Sequence, residues 1–93
     1  MNRDDFFESE IIFKGEVQGV GFRATTVRLG QELGVKGTVC NLPDGSVKVV
    51  AQGTGDAINS LVEGLRLKFI ITEVLLLDKT KPIRLYAHFS VIT

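Results

Sequence analysis

A glycine-rich turn separates two different hydrophobic periods in the first third of this chain. Residues 11–17 alternate between small or apolar and polar side chains, a period of two that predicts a half-buried strand. From Phe22 to Leu33 apolar residues recur every three or four positions. This predicts an amphipathic helix of about three turns that begins near Arg23 and ends at Gly34. A strand, a turn and a helix therefore follow one another in this segment.

A hairpin is predicted next. Residues 36–41 and 46–52 are β-rich runs, and the Pro-Asp-Gly triplet at 43–45 between them is a strong turn signal. Alternation along the second run places Val47, Val49 and Ala51 in the core and Ser46, Lys48 and Gln52 in solvent.

A second amphipathic helix and two further strands complete the pattern. Thr54 or Asp56 can cap the helix, and both alternatives remain open. The apolar run 69–77 predicts a strand, residues 78–82 predict a surface loop, and the alternation over 84–91 predicts a last strand. The apolar stripe of the helix consists of Ile58, Leu61, Val62 and Leu65.

The element order is β-α-β-β-α-β followed by a closing strand. Two helices on one face of a mainly antiparallel sheet is an α+β fold, the ferredoxin-like α/β sandwich. A chain of 93 residues makes one domain, and an apolar content of 44% argues against disorder. We expect residues 1–93 to form that single domain, with residues 1–8 as a flexible N-terminal tail. Its acidic and aromatic part, Asp4 to Glu8, can alternatively pack against an edge of the domain.

Composition excludes several classes of function. Eleven acidic and eleven basic side chains cancel, which speaks against binding to nucleic acid or to an anionic membrane surface. Cys40 is the sole cysteine, so the chain forms neither an intrachain disulfide nor a cysteine metal cluster. The sequence has no signal-peptide pattern and no apolar run of the length needed to span a membrane. We therefore expect a cytoplasmic monomer.

Topology predicts that two distant residues meet. In a right-handed β-α-β crossover the first two strands are parallel, so their C-terminal ends lie at the same edge of the sheet. The glycine turn, the helix start at Arg23 and the end of the second strand at Asn41 all belong to that edge. Free N–H groups of residues 18–22, a helix N-terminus and a guanidinium together predict an anion pocket. The Asn41 amide can orient a water molecule there.

The chemistry open to such a pocket is limited, because topology does not place a carboxylate, a histidine or a cysteine nucleophile there as it places the arginine and the asparagine. Cys40, which precedes Asn41, is interpreted as an ordinary strand residue. Hydrolysis of an acyl phosphate fits this limit. Its carboxylate leaving group has a conjugate acid of pKa roughly 4 and departs without being protonated. What remains is to stabilise charge on the phosphoryl oxygens and to place the water in line.

Three segments of the sequence stand out: Gly15-x-Val17-Gln18-Gly19-Val20-Gly21-Phe22-Arg23, Leu33-Gly34-Val35-x-Gly37 and Asn41-Leu42-Pro43-Asp44-Gly45-Ser46-Val47. They closely resemble the acylphosphatase family, and the likeness is strong over residues 11–53. The resemblance implies a metal-free, cofactor-free enzyme that hydrolyses the carboxyl–phosphate bond of acyl phosphates. It implies Arg23 and Asn41 as catalytic residues, the first binding the phosphate and the second orienting the attacking water. It also implies a phosphate-binding loop of Gln18, Gly19, Val20, Gly21 and Phe22.

The chain departs from the family pattern at a few positions, and other functions remain open. Thr38 and Cys40 stand where an aromatic residue and an arginine are frequent, and Gly30 stands where alanine is common. Glycine inside a helix is expected to cost about 0.5–1 kcal/mol relative to alanine. A non-catalytic anion-binding or regulatory module on the same fold is the main alternative. RNA binding is weaker, because the run 46–52 has no aromatic residue on which bases could stack.

Overall fold

The computed structural model describes residues 5–92 and confirms the predicted order of elements. The order is β-α-β-β-α-β, followed by a short closing strand, as expected. Within residues 5–92, neither helix has the length and apolar character needed to cross a membrane. The elements are β1 (Phe6–Gly15), α1 (Phe22–Leu33), β2 (Lys36–Asn41), β3 (Val47–Thr54), α2 (Gly55–Lys68), β4 (Ile71–Thr80) and β5 (Phe89–Val91).

The five strands form one mixed sheet in the order β4-β1-β3-β2-β5. The central strand β3 is antiparallel to both β1 and β2, so β1 and β2 run parallel to each other, as the crossover rule predicts. Val47 pairs with Phe13 on one side and with Asn41 on the other. The C-terminal ends of β1 and β2 therefore lie at the same edge of the sheet.

A residue with a recognisable capping role lies at one end of each helix. The α1 helix ends at Gly34, whose φ of 74° is a left-handed conformation that favours glycine. Thr54 caps α2, because its hydroxyl accepts a hydrogen bond from the Ala57 N–H at 3.1 Å. This contact decides between the two predicted caps in favour of Thr54.

The core lies between the helices and one face of the sheet. Phe22 at the start of α1 packs between Phe13 of β1 and Phe69, with ring centroids 5.3 Å and 5.1 Å apart. The three predicted core positions of β3 are fully buried. Together these contacts fix the start of α1 over the end of β1. The buried apolar set includes Ile11, Phe13, Val39, Val47, Val49, Ala51, Ile58, Leu61, Leu65 and Phe89.

The predicted N-terminal tail and the predicted loop at 78–82 are in part wrong. Residues 6–8 belong to β1 and pair with β3, and Glu8 also pairs with Thr80 at the end of β4. The ten-residue strands β1 and β4 give each other backbone hydrogen-bond partners, and this long-range pairing extends both beyond their local sequence signals. Residues 1–4 of the predicted tail lie outside the described residues.

The predicted last strand is shorter than its alternation suggests, since only Phe89–Val91 pair with a neighbour. The β4 and β5 strands lie at opposite edges of the sheet, so residues 81–88 must cross it. They cross the face opposite the helices and cover Gln52, which is 1% exposed instead of solvent-facing as predicted. Its amide donates to the Arg84 carbonyl and to Glu8, each at 2.7 Å, and its carbonyl accepts from the Tyr86 N–H at 2.8 Å.

Ser46 and Lys48 were also predicted to lie in solvent, and their exposures differ. Ser46 is also buried, and its N–H and its hydroxyl both donate to Asp44 Oδ1. Lys48 is half-buried and bridges to Glu10 at 2.9 Å. Alternation thus predicted the correct face for each residue, whereas exposure depended on what covers that face.

Candidate active site

The loop between β1 and α1 takes backbone conformations that favour glycine. Gly19 has a φ of 74° and Gly21 a φ of 84°, in the left-handed region that other residues rarely adopt. Among residues 5–92, no acceptor takes a hydrogen bond from the backbone N–H groups of residues 18–21. The α1 helix also begins without a side-chain cap. The loop therefore presents several unpaired donors at a helix N-terminus, where the dipole favours an anion.

Arg23 lies beside these donors. It lines a cleft of about 260 Å³ together with Gly19, Gly21, Phe22, Val17, Ala24 and Val91. Arg23 is the charged member of that lining, and the residue is half-buried. Within the described part of the chain, its guanidinium has neither a hydrogen-bond nor an ion-pair partner. A partly desolvated cation without a counterion is suited to bind an anion, and guanidinium groups bind phosphate bidentately.

Asn41 is the last residue of β2 and pairs with Val47 at the edge where β1 also ends. Its Oδ1 atom is buried and accepts no hydrogen bond from any group of residues 5–92. Buried side-chain oxygens normally have a partner, so this acceptor is an exception to explain. Asn41 is not one of the described residues that line the cleft of Arg23. It lies at the C-terminal end of β2.

Gln18 connects these two parts of the site, a contact that the sequence did not predict. Its side-chain amide donates to the Leu42 carbonyl at 2.8 Å and to the Ser46 carbonyl at 2.9 Å. Both carbonyls belong to the β2–β3 turn that begins directly after Asn41. The remaining loop residue, Val20, is 50% exposed and lies at the protein surface.

Val91 also lies at the candidate site, although the sequence predicted it only as part of the last strand. It lines the cleft because β5 pairs in parallel with β2, next to the start of α1. The signal for this position was weak, since a three-residue strand has no reliable periodicity.

The described groups whose pKa values are shifted lie outside the cleft. The Ser46 hydroxyl and N–H, which donate to Asp44, lower the pKa of that exposed carboxyl. The hydrogen bond to Glu10 raises the pKa of Lys48. Among residues 5–92, no group of three or more His, Cys, Asp or Glu side chains is arranged to hold a metal ion.

Comparison with known proteins gives a consistent picture. A family model described as Acylphosphatase matches residues 9–87. An acylphosphatase of Bordetella parapertussis is 54% identical over 56 residues, which are 60% of this chain and 60% of that protein. The chain therefore spans about three fifths of the length of this curated relative.

Two solved structures match this chain over almost their whole length. The acylphosphatase from Bacillus subtilis has a TM-score of 0.86 and 28% identity, and the match covers 94% of this chain and 99% of that one. An acylphosphatase from Coxiella burnetii has a TM-score of 0.85 and 28% identity over 99% of this chain and 98% of that one.

Proposed function

This chain belongs to the acylphosphatase family, and on that premise we propose that it hydrolyses the carboxyl–phosphate bond of small acyl phosphates. The products are a carboxylate and inorganic phosphate. The observation that carries the proposal is the unpaired Arg23 guanidinium beside the unpaired N–H groups of the loop that precedes α1. Several N–H donors and one positive charge match the acceptor oxygens and the negative charge of a phosphoryl group.

Arg23 and the loop stabilise the phosphoryl group in this proposal. Negative charge is spread over its three equatorial oxygens in the transition state, so fixed donors aimed at those oxygens lower the barrier. The backbone of Gln18, Gly19, Val20, Gly21 and Phe22 supplies neutral donors, and Arg23 supplies the positive charge. Arg23 places a cation at a helix N-terminus, which is unfavourable without an anion, and the bound phosphoryl group compensates for it.

Asn41 orients the attacking water in this proposal. Its buried, unpaired Oδ1 accepts a hydrogen bond from the water, which directs the water oxygen towards phosphorus. The oxygen forms the new bond to phosphorus while the bond from phosphorus to the carboxylate oxygen breaks. The carboxylate leaves with that electron pair. One proton of the water moves to a phosphate oxygen, and the other stays on the new hydroxyl group of the phosphate. No general acid is needed, because a carboxylate is already a stable anion at neutral pH.

The decisive experiment measures phosphate release from acetyl phosphate or benzoyl phosphate by the wild type and by Arg23→Ala. We expect kcat/KM to fall roughly a hundredfold to a thousandfold in the variant, as it does when one transition-state donor is removed. Arg28→Ala is a matched control, because Arg28 lies on the same helix but is exposed and pairs with Glu32 at 3.0 Å. Equal activity of the wild type and Arg23→Ala, or phosphate binding without turnover by the wild type, would contradict the proposal.

A further inference from the structure

A single side chain joins the loop that precedes α1 to the turn that follows Asn41. We propose that Gln18 is a positioning residue, whose amide holds the phosphate-binding loop in register with Asn41. This inference rests on the proposed function, because it concerns the relative placement of the two parts of that site. It also assigns to the Gln18 side chain a role different from that of its backbone.

The two hydrogen bonds of the amide are additional to the bonds that make the turn. The Ser46 carbonyl already accepts from the Leu42 N–H at 2.8 Å, and the Leu42 carbonyl accepts from the Gly45 N–H at 3.2 Å. Each carbonyl oxygen has two lone pairs, so Gln18 uses the second one in both cases. The hairpin turn is therefore complete without Gln18, and the amide serves to connect it to another segment.

The same contacts exclude the Gln18 side chain as a phosphate ligand in this arrangement. A primary amide has two N–H donors, and these bind two different carbonyls at 2.8 Å and 2.9 Å. The atom that remains is Oε1, an acceptor, which an anion repels. The backbone of residue 18 can still contribute to the anion pocket, whereas its side chain points its donors at the turn.

Loss of this link is expected to affect geometry more than stability. Both carbonyls keep one hydrogen bond within the turn when Gln18 is replaced, so no buried acceptor loses its only partner. The loop and the turn then retain no other side-chain hydrogen bond between them among the described residues. Displacement of reacting groups by about 1 Å can lower turnover a hundredfold, so kcat is the sensitive quantity.

The test compares kcat, KM and the inhibition constant of inorganic phosphate for the wild type, Gln18→Met, Asn41→Ala and the double variant. Methionine keeps the length of the side chain and removes both donors. We expect Gln18→Met to lower kcat about tenfold to a hundredfold. In the Asn41→Ala background the same change should lower kcat less than about threefold, because the residue through which Gln18 acts is already gone.

Asp44→Ala is the matched control. Asp44 accepts from the N–H and hydroxyl of Ser46 in the same turn, and among residues 5–92 it forms no hydrogen bond to the loop. We expect it to lower the melting temperature and leave kcat unchanged. Gln18→Glu serves as a second variant, because its carboxylate has the glutamine shape but repels both carbonyls, and kcat should fall at least as far. All rates are measured at temperatures where circular dichroism shows each variant folded.

Each outcome separates this inference from the proposed function. Losses of kcat that multiply in the double variant, or full activity of Gln18→Met, would overturn the positioning role and leave the proposed function intact. Absence of turnover by the wild type would overturn the proposed function and this inference with it.

Discussion

Gly30 in α1 lies directly against the ring of Phe89 in β5. A Cβ atom added at Gly30 would stand 2.5 Å from Phe89 Cδ2 and 2.9 Å from Cε2, closer than carbon atoms approach in folded proteins. Phe89 is 4% exposed and is the first residue of β5. The absence of a side chain at position 30 therefore lets the short strand pack against the helix.

Gly30→Ala should destabilise the protein, although alanine is the better helix former. Propensity favours alanine by about 0.5–1 kcal/mol, whereas forcing a methyl group into a packed core typically costs about 1–3 kcal/mol. Urea unfolding measures the net change. Gly55→Ala is the control, because a Cβ there meets nothing within 4 Å. Stabilisation by Gly30→Ala would show that the Phe89 ring moves aside readily.

Phosphate should stabilise the folded protein, and Arg23 should be required for this effect. A ligand that binds only the native state stabilises it by about 2.7 kcal/mol at a hundred times its dissociation constant. Thermal unfolding in rising phosphate, at constant ionic strength, should show an increase in melting temperature for the wild type and for Arg28→Ala. The increase should be absent in Arg23→Ala; an equal increase in all three proteins would place the anion elsewhere.

Asn41→Ala should lower turnover without lowering stability. Its buried Oδ1 has no partner among residues 5–92, and an unsatisfied buried acceptor costs about 1–3 kcal/mol. Removing the amide should therefore leave the free energy of unfolding unchanged or increase it, while kcat for acetyl phosphate falls. Urea unfolding and steady-state kinetics on the same sample check both parts. Loss of stability together with unchanged kcat would make Asn41 a structural turn residue.

Gln52→Leu should release the segment 81–88 from the sheet. The substitution removes the amide that holds Arg84, Tyr86 and Glu8, and leaves the Tyr86 N–H without this acceptor. We expect a loss of about 2–3 kcal/mol in the free energy of unfolding and faster proteolysis within 81–88. Gln31→Leu is the control, because Gln31 is exposed on α1 and should change stability by less than about 0.5 kcal/mol. Equal protease resistance would contradict the role of Gln52.

The elements that sequence patterns predicted well are those with purely local signals. The α1 helix was predicted from near Arg23 to Gly34 and spans Phe22–Leu33, because its apolar spacing and its terminal glycine are encoded within it. The β2–β3 hairpin follows from its Pro-Asp-Gly turn in the same way. The placement of Asn41 at the edge where β1 ends followed from the handedness of the crossover, which is a general rule of topology.

The features that the sequence did not predict depend on how distant segments of the chain pack against the edges and faces of the sheet. Apolar and polar residues do alternate over 84–91. Residues 81–88 nevertheless form a crossing segment and not a strand, because β4 and β5 lie at opposite edges of the sheet. The burial of Gln52 is a consequence of that crossing. At the site, the hydrogen bonds of Gln18 and the position of Val91 depend on long-range packing that no local pattern encodes.

The cleft brings Gly19 and Gly21 together with Val91, which belongs to the last of the described strands. β5 is three residues long, and within residues 5–92 its one strand partner is β2, so we expect it to dock after β2 and α1 have formed a surface. Contacts so distant in sequence form late, because closing a long loop costs entropy before the contact repays it. During refolding, anion affinity should therefore return after the helical signal, and its time course should report the docking of the final strand.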